Sequence, residues 1–179
     1  MSKKRTSTPN PPADPARAHR LLSRGAQLLA EGRAREALAP LQHAHRLDAD
    51  DVPTLINLGG AYVMTGQHKR ALPLLERARD AEPDNSMVWI NLGAAYLGNP
   101  LLSTARQQDR AIAAFERSLE LNPTAPSVHY NLGLIYVDRG DAVRARAAFE
   151  QALRVDPQDQ DARGWLARLD QRKEGGEDE

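Results

Sequence analysis

Three octapeptides decide how this chain folds: L-I-N-L-G-G-A-Y at residues 55–62, W-I-N-L-G-A-A-Y at 89–96 and H-Y-N-L-G-L-I-Y at 129–136. Apolar or small residues fall at i, i+3, i+4 and i+7: Leu55, Leu58, Gly59 and Tyr62, then Trp89, Leu92, Gly93 and Tyr96. That spacing is one stripe of an amphipathic helix. The glycines continue a longer series, Gly25, Gly59, Gly93 and Gly133, with steps of 34, 34 and 40. Ala37, Ala71, Ala111 and Ala145 step by 34, 40 and 34, and Leu41, Leu75, Phe115 and Phe149 do the same. Ala49, Pro83, Pro123 and Pro157 form a fourth series. The period is therefore 34 residues, with one insertion of six within Gly98 to Asp109.

Each period reads as two helices. The stripe above forms the first, a turn at Gly32, Gly66 or Gly140 follows, and the alanine and Leu/Phe series form the second. Proline then forbids continuation, because it lacks an N–H and its ring clashes with the preceding turn. A glycine inside a helix costs about 1 kcal/mol relative to alanine, so its recurrence at one phase needs a steric reason. Close approach of the two helices supplies it, with Ala71 expected opposite Gly59.

The pattern W-x2-L-G-x2-Y, then A-x3-F-x2-A and P, resembles the tetratricopeptide repeat. It stands as Trp89, Leu92, Gly93, Tyr96, Ala111, Phe115 and Pro123, and again as Leu132, Gly133, Tyr136, Ala145, Phe149, Ala152 and Pro157 with His129 in place of the tryptophan. The first unit, with Leu21, Gly25, Leu28, Ala37 and Ala44, matches less fully. Units are expected at about 18–51, 52–85, 86–125 and 126–159. A helix near 159–172, with Ala162, Trp165, Leu166 and Leu169 on one stripe, would cap the array. The resemblance implies an all-α fold, a right-handed α-solenoid. Two features strain the pattern. Pro40 and Pro73 lie inside second helices, and the insertion must lengthen either a turn or the helix after it. Thr104 and Gln107 have the spacing of a capping box and favour the helix.

Composition narrows the chemistry. The 24 basic and 24 acidic side chains balance, against the net basic surface of a nucleic-acid or anionic-membrane binder. Cysteine is absent, which excludes disulfides and thiolate chemistry. No apolar run approaches the ~20 residues of a membrane span. The basic start lacks the apolar stretch of a secretory signal, so a cytoplasmic protein is expected. Residues 1–14 (Pro-rich and basic) and 174–179 (acidic) read as disordered tails, with Asp14-Pro15 a helix start.

An enzyme reading finds no support. His43 and His45 diverge on a helix, while His19, His68 and His129 stand far apart in sequence. Nucleotide, metalloprotease and hydrolase motifs are missing, so neither a cofactor nor a metal is expected. Asp48, Asp50 and Asp51 read as a turn and helix cap rather than a cation site. Arginines such as Arg70, Arg77 and Arg144 read as a solvated outer face.

A binding face remains. On a helical wheel the first helix of each unit carries, beside its core stripe, a second contiguous face. Along it fall Ser23, Asn57, Asn91 and Asn131; Leu22, Ile56, Ile90 and Tyr130; Ala26, Gly60, Ala94 and Leu134; and Leu29, Val63, Leu97 and Val137. Only His19 and Asp138 on this face can carry charge. In tetratricopeptide arrays, which the chain resembles, such a face lines the concave groove. Asparagine amides both donate and accept, so a row of them can pair with the backbone of an extended peptide. They could equally bridge neighbouring helices. Some family members clamp acidic chaperone tails with lysine, asparagine and arginine. The matching positions here, Leu22, Ala26, Asn57, Met87 and Asn91, lack the cations, so that ligand is not expected.

The expected function is a non-catalytic protein-interaction module that holds a partner peptide or helix. Asn57, Asn91 and Asn131 would fix its backbone, and Ile56, Ile90, Tyr130, Leu97, Leu134 and Val137 would supply apolar contact. The alternative is a structural or self-associating subunit of a larger complex.

Overall fold

Side-chain oxygens start most of the helices where the sequence puts them. In the computed structural model, which describes residues 14–99 and 103–174, the Asp14 carboxylate accepts from the Arg17 N–H at 2.9 Å and Pro15 follows as the first helical residue. Asp51 and Asp141 cap in the same way, and Thr104 with Gln107 forms the reciprocal capping box. Among the described residues there are nine helices. They are α1 (Pro15–Ala30), α2 (Ala34–Leu47), α3 (Val52–Met64), α4 (His68–Ala81), α5 (Ser86–Leu97), α6 (Ala105–Leu121), α7 (Val128–Asp138), α8 (Ala142–Val155) and α9 (Gln160–Glu174). The expected tails fall outside the described residues, apart from Asp14 and Glu174.

The helices pack as consecutive hairpins, α1 on α2, α3 on α4, α5 on α6 and α7 on α8, and each second helix meets the first helix of the next unit. The architecture is an all-α solenoid. The glycine series explains the hairpins, with one correction to the sequence reading. The residue opposite Gly59 is Leu75, not Ala71. A Cβ on Gly59, Gly93 or Gly133 would lie 2.5–2.6 Å from Leu75, Phe115 or Phe149, and Gly25 faces Leu41 in the same manner. So the large member of the second helix fills the hole left by the glycine, and Leu41, Leu75, Phe115 and Phe149 are all completely buried. The cost of glycine is offset by burial of a whole side chain, about 1.5–3 kcal/mol for leucine or phenylalanine.

Pro40 and Pro73 stand at the seventh and sixth positions of α2 and α4, deep enough to delete a hydrogen bond to the carbonyls of Glu36 and Lys69. Both helices nevertheless run continuously, and both acceptor residues are exposed to solvent.

The insertion divides between turn and helix. α6 runs 17 residues against 14 for α2, α4 and α8, because it starts earlier relative to Ala111. The rest lies in the connection after Gly98, part of which (100–102) is outside the described residues. At the far end α9 covers the last unit. Ala162 and Leu169 join Ala145, Phe149 and Ala152 in a second core cluster, and the Trp165 ring stacks on Phe149 with centroids 5.9 Å apart.

Candidate functional site

The half-buried residues of α1, α3, α5 and α7 form the face on which the sequence reading placed the groove. α1 lies along α3, and α3 along α5, but α5 and α7 have no comparable contact. At the seam between the third and fourth units, Ala114, Phe115, Val128, Leu132 and Ile135 share one apolar core, and the start of α6 adds polar bonds. Gln108, buried near the start of α6, donates from Nε2 to Asp138 at 2.6 Å and accepts at Oε1 from Arg139 Nε at 2.8 Å. Arg139 also pairs with Asp109 at 2.7 Å. Asp138, one of the two chargeable groups on the face, is thus committed to the seam.

The predicted residues do not behave alike. Ile56, Ile90, Leu134 and Val137 are half-buried and lean against the cores while keeping surface on the face. Tyr130 is also half-buried, but its ring lies 5.7 Å from that of Phe149 at 59°, so its apolar edge is largely spent on the fourth unit. Leu97 is a correction. At 3 % exposure it belongs to the core and presents almost no surface on this face, because the helix ends there and Gly98 turns the chain away.

The asparagines split as well. Asn57 donates from Nδ2 to the Pro53 carbonyl of its own helix at 2.8 Å. Asn91 lies against Gly60 of α3, where a Cβ would come within 3.3 Å of its amide nitrogen. Gly60 therefore admits this amide between the two helices. Neither Asn91 nor Asn131 makes a side-chain hydrogen bond among the described residues, and both remain partly exposed. Asn57 and Asn91 stand on helices that lie side by side, whereas α5 and α7 have no comparable contact and Asn131 stands apart.

Sequence reasoning passed over two features of this side of the molecule. Met87, named in the sequence only as a clamp position, shares this face of α5 and is 48 % exposed, a large apolar side chain left in water beside Ile90 and Asn91. The second is periodic. Arg70, Arg110 and Arg144 sit over the rings of Tyr62, Tyr96 and Tyr136, 4.3, 3.9 and 4.8 Å from the centroids. Arginines expected on a solvated outer face instead close the turn end of three units. Their spacing of 40 and 34 was the available signal, since each arginine directly precedes a member of the second-helix series Ala71, Ala111 and Ala145. Other arginines join units through ions: Arg77 pairs with Asp50 and Arg117 with Asp84. Being exposed, each such pair adds at most about 1 kcal/mol.

The acidic run is used up locally. Asp48 accepts from the Asp50 N–H, Asp50 pairs with Arg77 and Asp51 caps α3. Among the described residues no cluster of metal-ligating side chains occurs, and no helix is long and apolar enough to cross a membrane.

Comparison with known proteins agrees with the geometry. Two family models described as tetratricopeptide repeat match the chain, one over residues 28–95 and one over 101–170. Among solved structures, the MamA D159K mutant is 28% identical with a TM-score of 0.67, and the match covers 88% of each chain. MamA MSR-1 C2 is also 28% identical, at a TM-score of 0.68, covering 90% of this chain and 89% of its own. The thermophilic TPR protein TTC0263 of Thermus thermophilus shares 24% identity at a TM-score of 0.71, over 85% of this chain and 80% of its own, a likeness of fold alone. The search of curated proteins gave no match.

Proposed function

Because the chain belongs to the tetratricopeptide repeat family, a fold that generally serves as a non-catalytic interaction module, we propose that its first-helix face is a concave groove binding an apolar peptide or helix of a partner protein. The observation that carries this reading is the character of the face between α3 and α5. It is uncharged and lined by half-buried Ile56, Ile90 and Ala94, and it leaves Met87 in solvent. An apolar surface with polar groups set into it is typical of a docking site, and methionine adapts to varied partners. Asn91 and Asn131 supply the backbone contacts. Asn57 contributes less, since its donor is already engaged. Ile56, Ile90, Leu134 and Val137 provide the apolar contact, with only the exposed part of Tyr130 added and Leu97 withdrawn.

The test is a selection of displayed peptides on the full chain, followed by affinity measurements. Met87→Glu, and separately the pair Asn91→Ala and Asn131→Ala, should each weaken selected apolar peptides by roughly tenfold or more. Val143→Glu, on α8 and equally exposed to change, should leave them unaffected. Unchanged affinity in both groove variants would refute the site.

A further inference from the structure

A second recess lies at the turn end of the solenoid, away from the groove, where the 34-residue period breaks. It has a volume of about 550 Å³, within the usual size of small-molecule sites, and is enclosed by the start of α4, the end of α5 and the extra turn of α6. A missing side chain widens it. Gly98 stands where the preceding unit carries Met64, a residue that lines the smaller corresponding recess of about 350 Å³ beside Arg33 and Ala34. A Cβ on Gly98 would sit 3.7 Å from the His68 ring, so the space faces that histidine. His68 in turn stands where the first and fourth units have Ala34 and Ala142. The chain also leaves Gly98 by a longer route than elsewhere, since α6 begins only at Ala105.

The chemistry of the walls is two-sided. Leu72, Ala95, Tyr96 and Leu97 make the floor apolar. The rim is cationic, with Lys69, Arg70 and Arg110 beside His68, and no carboxylate lines the cavity. Lys69 makes no ion pair among the described residues, and Arg70 bonds only to Gln67 while lying over Tyr62. Arg110, held over Tyr96, is partly neutralised by Glu76 at 3.5 Å, which also accepts from the Tyr96 hydroxyl. The Nδ1 atom of His68 is shut off from solvent with no hydrogen-bond partner among the described residues.

We propose that this recess binds a small amphipathic anion, an acyl or aryl body carrying a carboxylate or phosphate head, with the body on Leu72, Ala95 and Tyr96 and the head at Lys69, Arg70 and Arg110. An anion with no apolar body would leave the floor wet, and a neutral apolar molecule would leave two adjacent cations without a partner. The site is independent of the groove: its walls belong to the turn end, and Asn91 and Met87 are not among them.

Isothermal titration of the full chain with octanoate, octyl phosphate, octanamide and acetate tests the assignment. Octanoate or octyl phosphate should saturate at one equivalent, and octanamide and acetate should bind roughly tenfold or more weakly. The tighter of the two anions names the head group. The exposed pair Lys69→Gln and Arg70→Gln should weaken the preferred anion by about tenfold, and so should Lys69→Gln alone in part, which leaves the Arg70 contact with Tyr62 in place, while Arg35→Gln should not. Equal affinity for octanoate and octanamide, binding of acetate as tight as octanoate, no saturation by either anion, or indifference to the double variant would each overturn the site. None of these results bears on peptide binding in the groove, which is measured separately.

Discussion

At the scale of single residues, the glycines and histidines carry the clearest consequences. Gly93 leaves no room for a methyl group because the Phe115 ring fills that space. Gly93→Ala should therefore destabilise the fold by about 1–3 kcal/mol although alanine is the better helix former. Chemical denaturation measures this, and a stabilised variant would show that the helices are not in close contact. His45 and His129 give a pH prediction. Burial, with Arg77 nearby, holds His45 below the ordinary 6.5, and burial outweighs a backbone hydrogen bond to do the same for His129. The folded chain then binds fewer protons than the unfolded chain in this range. Their contribution is complete above 6.5 and is lost as pH falls through the lowered folded values. Melting temperature should drop as pH falls below about 6.5, and His45→Gln with His129→Gln should flatten the drop. The carboxylates of Glu31, Glu36 and Asp141, held low chiefly by hydrogen bonds from arginine side chains or, for Asp141, first from the Arg144 backbone, act further down and do not confuse this window. A flat wild-type profile would contradict the assignment.

At the scale of elements, the third and fourth units add polar bonds to the apolar core they share. Gln108 has both ends of its amide engaged by α7 and the residue after it, so Gln108→Ala leaves Asp138 and Arg139 with lost partners at a cost of roughly 1–3 kcal/mol. Hydrogen exchange should then quicken in α7, α8 and α9 more than in α1 to α5, and a uniform change would contradict a local seam. The capping helix gives a second test. Phe149→Ala should cost roughly 3–5 kcal/mol because it empties the hole at Gly133 and removes the platform under Trp165, while half-buried Trp165→Ala should cost less. Equal losses would show that the cap, not the glycine contact, dominates. Much of this was legible in sequence. Fixed phase is a property of the chain, so hairpins, capping box and capping helix could be read directly. The partner of Gly59 could not, because the offset between two helices depends on their crossing and not on either stripe alone. Leu97 failed for a related reason: a wheel treats each residue as part of an endless helix, and this one is the last before the turn.

At the scale of the whole molecule, zero net charge hides an uneven arrangement. Acids stand between units, at Asp48, Asp50, Glu82 and Asp84, and pair with arginine at the turns, at Glu31, Glu36, Asp109 and Asp141, whereas Lys69, Arg70 and Arg110 rim a recess that no carboxylate lines. Composition cannot reveal this, since it sums over directions, and the cavity at Gly98 appears only when the missing side chain is set against its neighbours in space. The groove was legible as a face but not as a set of free residues, because the sequence does not say which amide a neighbouring helix will use. The central assignment is that partners bind along α3 and α5. It is tested most directly by replacing Met87, and separately Val143, with a photo-crosslinking benzoylphenylalanine and irradiating each protein with the selected peptide. We expect adducts from position 87 and none from position 143; adducts from 143 alone would place the partner on the outer face and contradict the groove.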